Sequence, residues 1–183
     1  MTLHASAPKP SGPLTLAFLA VLQDQTGWLG GYLVTNGWGR PLEFRLTSGV
    51  QPNRVQTALY GATLAEYLHA DVIGRTLVEK TGTKPDLIVT DAPPALALRA
   101  RVDIQVVALT APGAPVPPDA TAFAHARAKT SLLLPPQFAH DRAAVDALLD
   151  RVDAAVDLAE PFVRVREAVA EARKMGVTNR AAA

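Results

Sequence analysis

The pattern of apolar and polar positions predicts five β-strands in the first two thirds of the chain. These strands are residues 14–22, 31–35, 42–47, 87–90 and 102–109. An unbroken apolar run such as the first is typical of a strand that is covered on both faces. In the third strand Leu42, Phe44 and Leu46 alternate with polar residues, which indicates an edge strand or a partly covered sheet. We expect all five strands in one mixed sheet, so the predicted class is α/β.

The connections between these strands carry their own signals. Asn36-Gly37 tolerates the positive φ angles that a tight hairpin turn requires, so the second and third predicted strands form a hairpin. After Asn53 the apolar residues recur at helical spacing. The helix is expected to break near residues 69–71 and to resume over residues 73–80. A helix between the hairpin and the fourth strand suits a parallel crossover.

The second half of the chain gives weaker signals. Residues 95–101 are expected to form one or two helical turns, and residues 132–134 a short last strand. Residues 141–174 are predicted to be largely helical. Pro161 interrupts them and fits best as the first residue of a new helix.

The chain of 183 residues is long enough for one domain with a substantial core. We interpret residues 1–13 as a flexible leader and residues 14–160 as a single α/β domain. That domain includes a proline-rich surface loop at residues 111–118. Residues 161–183 are predicted to be a C-terminal helix and tail.

Composition and charge narrow the function classes. The chain has no cysteine, which excludes disulfides, cysteine-based zinc sites and a cysteine nucleophile. A net charge of +1 does not indicate nucleic-acid binding, although a basic patch is compatible with such a total. No apolar run approaches the roughly 18 to 20 residues that span a bilayer, so we expect a cytoplasmic protein without a membrane contact.

The first half of the chain resembles the ribonuclease H-like fold. In that fold three antiparallel strands are followed by a helix and by a fourth strand parallel to the first. The residues that carry the resemblance are Gly30-Gly31-Tyr32, Asn53-Arg54 at the start of the helix, and Thr90-Asp91 at the end of the fourth strand. The resemblance covers about residues 14–99 and implies a three-layer domain, followed here by C-terminal helices. A longin- or profilin-like α+β module is the alternative.

The resemblance also implies a set of metal-binding carboxylates, because nucleases of this fold use two divalent ions to activate water. Asp91 stands where one catalytic aspartate is expected. The helix position of the glutamate is Gln56, and the first-strand aspartate falls near Ala20. With one acid of three present, we expect no catalytic residues, no metal and no cofactor. Asp91 then has a structural interpretation, in which it accepts hydrogen bonds from the backbone amides that follow the strand.

The alternative is a divergent metal-dependent nuclease that uses Asp91 together with Asp24 and Asp146. Acidic residues recur late in the chain at helical spacing and predict one acidic stripe on a helix. They are Asp146, Asp150, Asp153, Asp157 and Glu160. A stripe of this kind is more typical of a solvated helix face than of a metal site.

Trp38 is the residue that most favours a binding function. It lies in the predicted hairpin turn beside Arg40, and tryptophan and arginine are enriched at interface hot spots. Folding of the ring back over the sheet is an equally good interpretation. Phe162 and Val165 form an apolar stripe on the last helix, which must be buried either on this chain's own sheet or on a neighbouring chain. We favour the neighbouring chain because the helix follows a break. The predicted function is a non-catalytic binding or scaffold subunit that recognises a protein partner or forms a homo-oligomer.

Overall fold

The computed structural model describes residues 12–176, in which a seven-stranded sheet forms the centre. The strands in chain order are β1 (Thr15–Asp24), β2 (Gly27–Asn36), β3 (Pro41–Leu46), β4 (Leu87–Thr90), β5 (Gln105–Leu109), β6 (Thr121–Phe123) and β7 (Leu132–Leu134). Across the sheet their order is β3-β2-β1-β4-β5-β7-β6. β1 pairs antiparallel with β2 and parallel with β4, and β4 pairs parallel with β5. The predicted α/β class and mixed sheet are confirmed.

All five predicted strands lie in this sheet, but the fifth is shorter than expected. β5 begins at Gln105, because the Val102 N–H donates to the carbonyl of Leu98 and closes the preceding 3-10 segment, Pro93–Ala100. β6 was not predicted, since two of its three residues are exposed and it has no apolar alternation. Residues 1–11 of the predicted leader and residues 177–183 of the predicted tail lie outside the described residues.

The α-helices are α1 (Arg54–Tyr60), α2 (Leu64–Glu66), α3 (Arg75–Lys80), α4 (Arg142–Leu149) and α5 (Glu160–Lys174). Helical segments cover both faces of the sheet, although α1 and α2 bury no residue. One apolar core lies between the sheet and α4 with α5, and the other lies between the sheet and the chain around α3 and the Pro93–Ala100 segment. Along β1, Phe18 faces the first core and Leu19 the second, which explains the unbroken apolar run of this strand.

Two adjacent glycines of β2 let the helices approach the sheet closely on both faces. A Cβ atom at Gly31 would lie 2.5 Å from Val165 of α5, and one at Gly30 would lie 2.3 Å from Ile73 on the opposite face. Both distances are shorter than real Cβ contacts allow. The Gly30-Gly31 pair is therefore required by packing, because either helix would have to move away from the sheet if a side chain were present.

The helical region after Asn53 breaks at a different place from the one predicted. α1 ends at Gly61, which has a positive φ of 50°. No break occurs at residues 69–71, because a π-helical segment, Tyr67–Gly74, runs through them and continues into α3. Within this segment His69 and Ile73 are buried. Burial against the sheet therefore overrides the polar signal of these residues.

The C-terminal half has two separate helices where the acidic stripe was predicted. α4 ends at Leu149, and the chain then turns before α5 begins at Glu160 with Pro161 in its first turn, as expected. Of the five acids, only Asp146 belongs to α4. The stripe prediction is therefore wrong, since a stripe requires one continuous helix. Within residues 12–176, no helix is long and apolar enough to cross a membrane.

Candidate functional site

The turn between β2 and β3 is built by one side chain. The Asn36 side-chain oxygen accepts hydrogen bonds from the backbone N–H groups of Trp38 and Arg40, both at 3.0 Å. The backbone of Asn36 adds two further bonds, from its N–H to the carbonyl of Arg40 and from Gly39 N–H to its own carbonyl. Gly39 has a positive φ of 78°, which completes the turn. The predicted hairpin is confirmed, but the positive φ that the sequence analysis assigned to Asn36-Gly37 lies at Gly39.

The same turn is also attached to the body of the domain. The carbonyl of Gly37 accepts a hydrogen bond from the backbone N–H of Asp153 at 2.9 Å, and the carbonyl of Gly39 accepts one from the Arg164 guanidinium at 2.9 Å. Arg164 is itself held by Glu160, one turn earlier on α5, at 2.9 Å. The tip of the hairpin is thus held by hydrogen bonds of Asn36 within the turn, and by Asp153 and Arg164 from outside the turn.

Trp38 projects from this fixed turn into solvent. Its side chain is 73% exposed, so the ring does not fold back over the sheet, and Arg40 beside it is also exposed. An exposed tryptophan leaves a large apolar surface in water, which association with another molecule removes. Because the backbone is already ordered, binding through this ring would require little further loss of conformational entropy.

Phe162 and Val165 are not a free surface. They are 3% and 0% exposed, and both belong to the core between α5 and the sheet. The Phe162 ring meets Phe18 of β1 edge to face, with 5.6 Å between the ring centres. The expectation that these two side chains cover a neighbouring chain is corrected by this burial. On the outer side of α5, Val163 is 56% exposed.

Asp91 forms an ion pair with Arg166 of α5. It does not cap the end of β4 in the expected way, because the Ala92 N–H donates to the side chain of Thr90 at 3.1 Å. The carboxylate is only 19% exposed and is matched by a guanidinium from a helix that lies 75 positions later in the chain. The structure therefore gives Asp91 the role of a partner for α5.

Asp24 is engaged in the same manner at the end of β1. Its carboxylate accepts hydrogen bonds from the side chain and the backbone N–H of Thr26, each at 2.7 Å, and pairs with Arg173 at 2.7 Å. The Thr26 hydroxyl and the other partners hold the pKa of Asp24 below its ordinary value. Two of the three acids of the nuclease alternative thus each face an arginine of α5.

The third acid, Asp146, lies on α4 and pairs with Arg142 of the same helix at 2.6 Å. The later acids have other partners: Asp157 accepts a hydrogen bond from Ala159 N–H at 3.0 Å and pairs with Lys129 at 2.7 Å, and Asp150 contacts His125. Within residues 12–176, no group of three or more His, Cys, Asp or Glu side chains is close enough together to hold a metal ion. Asp24, Asp91 and Asp146 are therefore not brought together.

Gln56 has a structural role of its own. It occupies the third position of α1, where its side chain accepts a hydrogen bond from Asn53 N–H at 3.0 Å while the Asn53 side chain accepts one from Gln56 N–H at 2.8 Å. This reciprocal pair is a capping box. It explains the amide at this position without reference to metal chemistry.

Sequence reasoning missed Glu43 of β3. Its carboxylate accepts hydrogen bonds from the backbone N–H groups of Gly82 at 3.1 Å and Thr83 at 2.9 Å, and pairs with Arg45 at 2.8 Å. Led by the Gly82 bond, these contacts lower the pKa of Glu43 to about 2. The alternation of β3 places Glu43 on the polar face, but nothing in the local sequence indicates a loop about forty positions away.

A second feature without a sequence signal is His69. It is 6% exposed, neither ring nitrogen has a hydrogen-bond partner among the described residues, and its ring packs on Trp28 with 5.1 Å between centres. Burial lowers the pKa of His69. The π-helical segment holds this ring against the sheet, since its wider turn changes which side chains face inward.

A cavity of about 600 Å³ lies on another part of the surface. Its walls come from the Pro93–Ala100 segment, from residues 62–66 and 117–120, and from the segment Pro136–Asp141. None of the residues predicted as catalytic or binding lines it. The cavity therefore does not support any of the sequence-based hypotheses.

Comparison with known proteins adds no constraint to these observations. No protein-family model matches the chain, and no curated protein matches it in sequence. The functional argument accordingly depends on the geometry described above.

Proposed function

We propose that the protein is a non-catalytic binding subunit of ribonuclease H-like fold that recognises a protein partner through the β2–β3 hairpin tip. The observation that carries this proposal is Trp38, 73% exposed on a turn that is hydrogen-bonded both internally and to α5. An exposed tryptophan next to an arginine has the composition of an interface hot spot, and the hydrogen-bonded backbone of the turn already holds both residues in place.

The strand arrangement supports the fold part of the proposal. β1, β2 and β3 are antiparallel, a helical region follows β3, and β4 pairs parallel with β1. This is the order that the resemblance implies, with helices on both faces of the sheet. A longin- or profilin-like fold, the alternative, would point to the same kind of function.

The carboxylates support a non-catalytic function over the nuclease alternative. Asp24 and Asp91 are each paired with an arginine of α5, and a guanidinium beside a carboxylate opposes the binding of a divalent cation there. A nuclease centre of the expected kind requires several carboxylates around the same ions. Gln56, which occupies the glutamate position, is engaged in the cap of α1.

The proposal is tested by purifying a tagged chain from its native host and measuring the affinity for the partner that is recovered with it. Trp38→Ala is expected to weaken binding by about 30-fold or more, because a hot-spot tryptophan contributes roughly 2 kcal/mol. The matched control is Leu59→Ala, which truncates an apolar side chain that is 80% exposed on α1. The control should bind like the unchanged chain.

Thermal unfolding must accompany this measurement. Both substitutions remove exposed side chains, so each should change the free energy of unfolding by less than about 0.5 kcal/mol. Recovery of no stoichiometric partner, or full affinity in Trp38→Ala, would contradict the proposal. Equal weakening by Leu59→Ala would show that the hairpin tip is not the specific contact.

A further inference from the structure

β3 is an edge strand whose outer side pairs with no other strand among residues 12–176. It lies at one end of the strand order, with β2 as its only neighbour among the described strands. Leu42 is 49% exposed, and Phe44 and Leu46 are half-buried. The opposite edge, β6, has only three residues. Proteins protect edge strands by shortening or covering them, or by placing proline and charged residues there. β3 carries Pro41, Glu43 and Arg45, but it is six residues long and leaves Leu42 exposed, so its outward backbone groups can accept another strand.

The hydrogen bonds to β2 show which N–H and C=O groups of β3 point outward and are available for another strand. Thr47 N–H donates to the carbonyl of Gly30 on β2 at 2.9 Å, and pairing in an antiparallel ladder alternates along the strand. The N–H and C=O groups of Arg45 therefore face β2, whereas those of Phe44 and Leu46 face outward. The register shift lies at the other end, between Val34 and Thr35, so the ladder is regular over the Phe44 region.

The sequence of this edge is complementary to itself. From residue 42 to residue 46 it reads Leu-Glu-Phe-Arg-Leu. When two copies lie antiparallel about an axis through Phe44, each Leu42 lies opposite a Leu46 and each Glu43 lies opposite an Arg45. The two Phe44 residues then face each other as a hydrogen-bonded pair, which agrees with the outward direction of their backbone groups.

We propose that β3 pairs antiparallel with β3 of a second copy of this chain, and that the protein is a homodimer with one sheet continuous across the two-fold axis. The charges favour this occupant over an unrelated strand, because Glu43 and Arg45 give two opposite-charge pairs related by the axis. Glu43 already pairs with Arg45 of its own strand at 2.8 Å and is held by Gly82 and Thr83, so the two intrastrand pairs form one cluster of four charges of alternating sign across the axis. This inference does not depend on the role of Trp38.

Sedimentation equilibrium of the full chain at rising concentration tests the proposal. The unchanged chain should be dimeric, and Leu42→Lys should raise the dissociation constant about tenfold or more, because it places a charge opposite Leu46. Leu59→Lys is the matched control, since Leu59 is 80% exposed on α1 and not on the edge. The control should dimerise like the unchanged chain.

The charge pairs give a second and more specific test. Arg45→Glu and Glu43→Arg each place like charges opposite one another at both symmetry-related positions, so each variant alone should be monomeric. Mixing the two variants restores opposite charges at every position and should produce a heterodimer. If Glu43→Arg does not fold, because its bonds to Gly82 and Thr83 are lost, Leu42→Lys and Arg45→Glu decide the question.

Three results would overturn the proposal: a monomeric unchanged chain, a dimer that Leu42→Lys does not weaken, or two folded charge variants that fail to associate when mixed. Trp38→Ala should dimerise like the unchanged chain. A monomeric unchanged chain would therefore contradict the β3 dimer but not the proposed partner site at Trp38. A chain that dimerises but binds no partner would contradict the partner site but not the dimer.

Discussion

Truncation of Phe162 tests whether α5 belongs to the core of its own chain. The ring is 3% exposed and packs edge to face on Phe18, which is fully buried in β1. Phe162→Ala leaves a cavity between α5 and the sheet, and truncations of this kind cost about 3–5 kcal/mol. Typical domains have a total stability of about 5–15 kcal/mol, so the change removes a large share of it. Val163→Ala, on the exposed side of the same helix, should cost less than about 0.5 kcal/mol.

Urea unfolding followed by circular dichroism measures both changes. The midpoint should fall strongly for Phe162→Ala with an unchanged dependence on urea, because the folded surface stays the same and only its packing is lost. The Val163→Ala midpoint should match that of the unchanged chain. A decrease of less than about 1 kcal/mol in the free energy of unfolding of Phe162→Ala would refute the reasoning, since removal of a buried aromatic ring costs more than that. It would also revive the expectation that this helix covers a neighbour.

Three further predictions concern other parts of the chain. Burial lowers the pKa of His69 in the folded state, so at a pH below the ordinary value of 6.5 the unfolded chain binds a proton more readily than the folded chain does. The free energy of unfolding should therefore fall as the pH drops through 6.5. His69→Phe should flatten this dependence between about pH 7.5 and pH 5. Asn53→Ala should speed amide hydrogen exchange in α1 with little change in global stability, because α1 buries no residue. Calorimetric titration with Mn²⁺ should show no specific site, and a binding isotherm that disappears in Asp91→Asn would favour the nuclease alternative.

The strands and the hairpin could be predicted because they follow from local periodicity. The unbroken apolar run of β1 reflects cover on both faces, and the alternation of β3 reflects its edge position. The side chain of Asn36 and the positive φ of Gly39 form the turn within five residues, and Pro161 marks the start of α5 by its own chemistry. Each of these signals lies inside the element that it specifies.

The roles of the site residues could not be predicted because they depend on distant parts of the chain. The helical spacing of Phe162 and Val165 shows that they share a face, but it does not show whether that face meets their own sheet or another molecule. Asp91 looked like a strand-end cap or a catalytic acid, and its partner Arg166 becomes visible only once α5 is placed beside the sheet. Likewise, the partners of Glu43 in the loop at residues 82–83 become visible only in the folded structure.

The acidic stripe and the helix break show a different limit. The stripe prediction treated residues 146–160 as one regular α-helix, and the break prediction treated residues 69–71 as an interruption of one. The chain instead forms a turn after Leu149 and a π-helical segment through His69, and neither has a clear periodic signal. Tertiary burial decides the conformation of such segments, so they follow from the packed fold rather than from local spacing.

The most direct test of the partner site is a photochemical crosslink from the hairpin tip inside the native host. A photoreactive benzoylphenylalanine is placed at position 38 in one strain and at position 59, equally exposed on α1, in another. The account predicts that light produces one predominant protein adduct from position 38 and no such adduct from position 59. The absence of an adduct at position 38, or the same set of adducts from both positions, would contradict the claim that Trp38 marks a protein-binding site.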